Sequence, residues 1–138
     1  MFDRLISIIE NRELFSENYF AERDIDELVD LRYSANFDRQ WMRVYNDLKQ
    51  TTPDAETTQT IDKIRELSFL MAYGMTESDD IAGLLSDDFE LICKAHLAGY
   101  NDGWLNALIC AYAAGQFPCG TLDPTDKDIT ACMQDWLG

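Results

Sequence analysis

The chain has 138 residues, and its 26 acidic and 11 basic residues give it a formal net charge of −15. A hydrophobic content of 46% is ordinary for a globular protein and excludes an intrinsically disordered chain despite the charge. A negative field of this size repels nucleic acid and anionic membranes and attracts basic partners. We therefore expect neither direct nucleic-acid binding nor membrane binding.

We expect neither a signal peptide nor a membrane-spanning segment. Its first residues, MFDRLISIIENRE, carry acids among apolar residues and lack the basic start of a signal peptide. The apolar stretch 104–114 is interrupted by Asn106 and is too short to cross a bilayer. We expect a cytoplasmic protein with reduced thiols, a Cys119–Cys132 disulfide being the alternative. The four cysteines are Cys93, Cys110, Cys119 and Cys132.

Apolar residues recur at helical spacing through the first half of the chain. The first helix is predicted from about Phe2 to Arg12, followed by a short helix over 17–23. Asp24 and Asn36 are the predicted N-caps of the next two helices. The second of these helices is expected to turn one apolar face to the core, made of Phe37, Trp41, Val44, Tyr45 and Leu48. The threonine-rich segment 51–60 predicts a loop, and the helix after it is expected to end at Gly74.

The apolar centre of the chain is the stretch from Ser86 to Pro118. It predicts two helices, at 87–99 and 102–116, and the second is apolar on nearly every face, which is typical of a helix covered by its neighbours. Asp87 is expected to cap the first of the pair, after a short separate helix at about 79–85. A last helix is predicted after Thr125.

Strand signals are almost absent, because the sequence contains neither sustained alternation of apolar and polar residues nor an Asn-Gly turn. The predicted fold class is all-α. We expect a single domain, residues 1–138, folded as an irregular bundle of seven to eight helices around the central apolar helix pair.

The residues that could carry chemistry form no convincing site. His96 is the only histidine and follows Cys93 by three residues, a spacing on one helix that rarely aligns a nucleophile with its base. We expect His96 to be buried and hydrogen-bonded. The cysteines match no zinc spacing, and the run 123–130 lacks the turn glycine and the final glutamate of a calcium loop. We predict no catalytic residue, no metal and no cofactor, and hence no enzyme.

The acids are distributed unevenly. From Glu66 to Asp126 there are ten acids and one base, Lys94. The densest runs, 77–80 and 87–90, lie at predicted helix N-termini, where the helix dipole accounts for one or two acids each. The excess predicts a surface that faces a partner, and simple solvation of the acids is the alternative. The candidate residues are Glu77, Asp79, Asp80, Asp87, Asp88 and Glu90, with Asp102 and Asp123 as weaker members.

A small, acidic, all-helical chain without catalytic residues resembles the bacterial toxin-immunity proteins, including those of contact-dependent growth inhibition systems and nuclease bacteriocins. The resemblance covers size, charge and architecture and rests on no motif. It implies a protein whose acidic surface covers the basic active site or substrate channel of a cognate toxin, commonly an RNase or DNase. Tyr100 and Trp104 are the candidate aromatic anchors of that interface.

Three alternatives remain open from the sequence. A helical adaptor would bind its partner through an apolar patch and with weak salt dependence. A carboxylate-based or metal-dependent hydrolase would be an enzyme, and a metal-dependent one would lose stability in chelator. A DNA mimic would bind a protein that normally holds duplex DNA. For the immunity hypothesis, changing Asp87 and Asp88 together to lysine is expected to weaken partner binding while helicity is kept.

Overall fold

The computed structural model describes all 138 residues and contains seven helices and no strand. The predicted all-α class is confirmed, and the number of helices lies within the predicted range. The helices are α1 (Phe2–Glu10), α2 (Ile25–Arg32), α3 (Ala35–Leu48), α4 (Ala55–Thr76), α5 (Asp79–Ala98), α6 (Gly103–Ala113) and α7 (Ile129–Leu137).

The two longest helices, α4 and α5, form a helical hairpin around which the other helices pack. They are joined by the two residues Glu77 and Ser78 and make the most extensive contact in the fold. α1 packs on α4, while α2 and α3 pack on α5. α6 contacts α3 and also carries α7. This arrangement covers the apolar side of α5 with helices from both ends of the chain.

The predicted break before Asp87 does not exist, because α5 is one continuous helix. Ser78 caps it, and its Oγ accepts a hydrogen bond from the backbone N–H of Ile81 at 3.2 Å. The polar run Ser86-Asp87-Asp88 does not end the helix, since Leu85, Phe89 and Ile92 around it are fully buried. Their packing outweighs the weak helix propensity of serine and aspartate.

α4 is longer at both ends than the sequence predicts. Asp54 caps it by accepting a hydrogen bond from the N–H of Thr57 at 2.7 Å, so half of the threonine-rich segment is helical. At the other end the helix passes through Gly74, because Met75 beyond it packs on the core. The left-handed residue that ends α4 is Glu77, with φ of 55°.

The short helix predicted over 17–23 is a series of turns that buries Tyr19 and Phe20. Asp24 caps α2 as predicted, accepting from two backbone N–H groups. α3 begins two residues earlier than expected, after Ser34 rather than Asn36.

The prediction that the second apolar helix is covered is confirmed. α6 is shorter than predicted, and it buries Trp104, Leu105, Leu108, Ile109 and Tyr112. Its neighbour α7 stacks Trp136 against Tyr112 with ring centroids 6.2 Å apart. None of the seven helices is both long enough and apolar enough to cross a membrane.

The expectation that His96 is buried is wrong. His96 is exposed, and its ring centroid lies 6.1 Å from that of Phe2. Partial burial and the charge of the terminal ammonium lower the pKa of His96.

All four cysteines are free, and the thiol nearest to Cys132 belongs to Cys110, at 3.5 Å, not to Cys119. The Cys119–Cys132 disulfide is therefore not formed.

Candidate partner-binding surface

Asp88 is a structural residue, and its predicted role as a partner-facing carboxylate is wrong. Its side chain is 0% exposed and forms a two-bond ion pair with Arg32, with N–O distances of 2.8 and 2.7 Å. The indole N–H of Trp41 and the hydroxyl of Tyr112 also donate to it, at 2.9 and 2.6 Å. These four bonds join α2, α3, α5 and α6, and they satisfy the charge inside the protein.

The environment of this cluster fixes its charges. Burial alone would lower the pKa of Arg32, but the charge and hydrogen bonds of Asp88 raise it above its usual value. Burial and then the charge of Asp88 raise the pKa of the Tyr112 hydroxyl well above its usual range. The Arg32 guanidinium also lies 4.4 Å from the ring centroid of Phe37, a cation–π contact. The cluster is therefore an ion pair with a neutral tyrosine, held among aromatic rings.

Asp87 and Glu90 lie on the surface of α5 and share one cation. The Arg65 guanidinium of α4 donates to Asp87 Oδ1 at 2.8 Å and also to Glu90. Lys94 pairs with the other oxygen of Glu90 at 3.0 Å. Partial burial raises the pKa of Asp87, although Arg65 acts in the opposite direction. These two acids are thus partly neutralised within the chain.

Asp102 is occupied by structural bonds. It caps α6 by accepting from the N–H of Leu105 at 2.9 Å, and Arg43 donates to both of its oxygens at 2.9 and 3.1 Å. Partial burial pushes its pKa up, but the hydrogen bonds from Arg43 and Leu105 outweigh it and lower the pKa. Of the two predicted anchors, Trp104 is buried, and the hydroxyl of Tyr100 donates to Asp47 at 2.7 Å. Trp104 therefore does not anchor a partner.

Four of the predicted residues are exposed and make no ion pair. Three of them lie together where α4 ends and α5 begins, and the fourth is in the loop between α6 and α7. The six ion pairs of the protein use five of its 26 acids and leave 21 unpaired. The negative field is therefore open to solvent. The four residues are Glu77, Asp79, Asp80 and Asp123.

A groove runs beside this acidic end, and its walls come from α3 and α5. It consists of two adjoining cavities, which share Trp41 and Asp87 at the point where they meet. The α4-side cavity has a volume of about 250 Å³, and the α2-side cavity about 170 Å³. We call the two together the α3–α5 groove.

The two cavities differ in their linings. The α4-side cavity is bordered by three bases and two acids, namely Lys49, Arg65, Lys94, Asp87 and Glu90. The α2-side cavity is more apolar, and its two exposed acids are Asp38 and Asp87. Asp38 makes no ion pair, whereas Asp87 pairs with Arg65 of the neighbouring cavity. Its lining includes Tyr33, Asp38, Met42 and Leu84.

Helix periodicity connects the groove with the free acids of α5. Asp80, Leu84 and Asp87 are spaced i, i+4 and i+7 and so lie on one face of the helix. At 1.5 Å per residue, Asp80 is about 10 Å from Asp87 along the axis. The structure thus brings Asp80 and Asp87 onto one stripe, with Leu84 between them.

The sequence did not indicate the aromatic wall of the groove. Trp41 and Tyr45 were expected to face the core, yet Tyr45 is 41% exposed and stacks on Trp41 at 5.6 Å. The bond to Asp88 holds the Trp41 indole in place, so this wall is rigid. No three His, Cys, Asp or Glu side chains are grouped as a metal site requires.

The all-helical fold and the excess of exposed, unpaired acids agree with the size, charge and architecture of the immunity class. The chain belongs to the family described as Immunity protein PIM1, whose model matches residues 4–119. The resemblance inferred from size, charge and architecture is thereby confirmed, and membership implies a cognate toxin as partner. The matched segment begins within α1, contains α2 to α6 and the whole groove, and ends before α7. No curated protein sequence matches the chain.

Proposed function

We propose that this immunity protein binds a nuclease toxin, an RNase or a DNase, and covers its basic active site with an acidic surface. The observation that carries the proposal is the cluster of Glu77, Asp79 and Asp80, which is exposed and makes no ion pair. Asp80 of this cluster lies on the same stripe of α5 as Leu84 and Asp87 of the α3–α5 groove. In this role the protein acts by binding rather than by catalysis, in the cytoplasm of the cell that makes the toxin.

The charge of the chain suits such a partner. A nuclease binds a phosphodiester backbone and therefore presents a positive surface. The 21 unpaired acids supply the opposite potential, which raises association rates towards about 10⁸–10⁹ M⁻¹s⁻¹ at low salt. Aromatic side chains beside the acids, such as Trp41 and Tyr45, supply the buried contacts that slow dissociation.

The predicted acids contribute unequally to this surface. Glu77, Asp79 and Asp80 are free to meet a partner, and Asp87 offers the oxygen that Arg65 does not occupy. Glu90 and Asp102 contribute where cations of the toxin replace Arg65, Lys94 and Arg43. Asp123 lies in a separate loop, outside the family match, and is a peripheral member.

The test is a binding experiment with the toxin domain encoded beside this chain, made catalytically inactive for purification. A stoichiometric complex whose association slows steeply with salt, together with inhibition of the active nuclease, is expected. Changing Glu77, Asp79 and Asp80 to their amides is expected to slow association. The matched control changes Glu10, Glu13 and Glu17, which are also exposed and unpaired, and removes the same charge elsewhere. Equal effects of the two triple variants contradict the proposed surface.

A helical adaptor is the second candidate, and one observation favours it. Leu70 and Tyr73 of α4 are 59% and 43% exposed, which is an apolar patch outside the groove. An adaptor that used this patch would bind with little salt dependence. The loss of binding on changing Leu70 to serine, with the triple amide variant unaffected, would support it.

A further inference from the structure

We propose that the α2-side cavity of the α3–α5 groove receives an arginine or lysine side chain of the toxin. This inference rests on the proposed function and specifies one contact within it. The side chain would lay its aliphatic stem on Met42, Leu84 and Trp41 and bring its charge between Asp38 and Asp87.

The size of the cavity favours a side chain over a small-molecule ligand. Its volume of about 170 Å³ lies below the roughly 300–1,000 Å³ of typical small-molecule sites. The walls are open to a partner, since Tyr33 and Met42 are 61% and 41% exposed. A space of this size suits a single long side chain of a protein partner.

The charges around the cavity call for a cation. Asp38 is exposed and makes no ion pair, and Asp87 Oδ2 accepts no hydrogen bond. The lining also contains Arg32, but its guanidinium is 3% exposed and is neutralised by Asp88. Arg65 offsets part of the charge of Asp87 from the α4 side. The free carboxylate of Asp38 and the open oxygen of Asp87 remain as acceptors for an incoming base.

The apolar part of the lining fits the rest of a basic side chain. Lysine and arginine bury their methylene stems along apolar surface while the charge stays near polar groups. Trp41 adds an aromatic face, and its indole is fixed by the 2.9 Å bond to Asp88 Oδ1. A cation over the face of a tryptophan ring is attracted by the negative charge of its π-system. A rigid ring also loses little entropy when the partner binds.

The α4-side cavity differs from the α2-side cavity in its charge balance, so an incoming base is favoured at only one end of the groove. Lys49 makes no ion pair there, whereas Glu90 is bonded to both Arg65 and Lys94. The bases of this cavity outnumber its acids, so a second cation of the toxin is not favoured at that end. The inserted base therefore belongs to the α2 side.

The test uses Met42→Lys, which places an internal ammonium in the cavity. The new lysine lies four residues after Asp38 on α3, so an i,i+4 pair forms and the helix stays stable. Its control is Leu97→Lys near the end of α5, at a position that is 42% exposed and lines neither cavity of the groove. Both variants change the net charge by the same amount.

Binding of each variant to the inactive toxin domain is measured by calorimetry at two salt concentrations. Met42→Lys is expected to weaken the affinity on the order of tenfold or more, and Leu97→Lys to leave it near the wild-type value. Asp38→Asn is also expected to weaken binding, whereas Asp26→Asn, in the first turn of α2, is not.

The outcomes separate this inference from the proposed function. Equal affinities of the Met42 and Leu97 variants, whether both kept or both reduced, overturn the cavity contact. The proposed function still holds in that case if the wild-type chain inhibits the nuclease in a salt-dependent way. A wild-type chain that does not bind the toxin domain overturns both.

Discussion

Asp87 and Asp88 are adjacent in sequence and differ completely in burial, because neighbouring residues of a helix lie about 100° apart around its axis. The Asp88 side chain is 0% exposed and ion-paired with Arg32, whereas that of Asp87 is 50% exposed and borders the groove. A single residue step along α5 thus separates a structural carboxylate from a surface carboxylate. The expectation that both could be changed to lysine with helicity kept is wrong, because a lysine at position 88 would face the buried Arg32.

We predict that Asp88→Ala destabilises the protein strongly. The change leaves the guanidinium of Arg32 buried without a counter-ion and removes the acceptor of Trp41 and Tyr112. Breaking a buried ion pair in this way costs about 3–5 kcal/mol. The free energy of unfolding is measured in urea, with Asp79→Ala as an exposed control. A cost below that of the control would show that the pair is not structural.

The environment of Asp88 was predictable only in part from the sequence. Asp88 lies three residues after Leu85 and four before Ile92, so a continuous α5 places it on the buried face. The polar run 86–88 indicated the start of a new helix instead. With a helix start predicted there, the apolar spacing from Leu85 to Ile92 was not read as one continuous helix. Its counter-ion Arg32 is 56 residues away. No local pattern indicates such a pairing.

The apolar core was easier to predict than the groove. Leu105, Leu108 and Ile109 are core residues because a helix that is apolar on nearly every face is covered by its neighbours. The groove depends on how α3 packs across α5, which exposes Tyr45 and fixes Trp41. Helix-to-helix packing depends on the whole set of contacts, so sequence spacing alone assigned both residues to the core.

Asp102 is predicted to stabilise the start of α6. Asp102→Ala removes an N-cap and the pair with Arg43, and the loss of a cap costs about 0.5–2 kcal/mol. Asp102→Asn keeps a capping oxygen and is expected to cost less. Thermal unfolding of the two variants gives the comparison. If the asparagine variant were as unstable as the alanine variant, the pair with Arg43 rather than the cap would carry the effect.

The same residue is expected to contribute to the pH dependence of stability. Its pKa is lowered in the folded state, so the unfolded chain binds the proton more readily. The stabilisation is therefore complete above the pKa of the unfolded chain, about 3.9. It is lost as the pH falls through the folded pKa. The difference in unfolding free energy between wild type and Asp102→Asn should shrink on acidification, and a growing difference would contradict this sign.

We predict that mild oxidation joins Cys110 and Cys132. Their sulfur atoms are 3.5 Å apart, and each thiol loses one hydrogen to an oxidant such as diamide, which is reduced to the hydrazine as the disulfide forms. Closing a loop of this length is expected to stabilise the chain by about 3 kcal/mol. Burial, and then the bond to Cys110, raise the pKa of Cys132 to about 12, so the reaction should be slow at neutral pH and faster as the pH rises.

Mass spectrometry after digestion identifies the linked peptides, and the melting temperature reports the stabilisation. Cys119→Ser is the control and should still form the link, whereas Cys110→Ser should not. A disulfide that involves Cys119 instead would show that the loop before α7 moves further than the structure indicates.

Removal of Arg65 is predicted to strengthen the electrostatic attraction to the toxin. Arg65 holds Asp87 and Glu90 in ion pairs that are partly exposed, and such pairs contribute only about 0–1 kcal/mol to stability. Arg65→Gln should therefore fold normally while it frees Asp87 and leaves Glu90 paired with Lys94 alone. Association with the toxin domain is expected to be faster than for wild type at low salt and equal at high salt, because screening removes the added attraction.

Stopped-flow kinetics at both salt concentrations measure this association rate. The control is Arg12→Gln, an equal charge change on an exposed residue that is distant from Arg65 in the sequence. Slower association of the Arg65 variant would mean that Arg65 itself contacts the toxin and that the groove carries a cation into the interface.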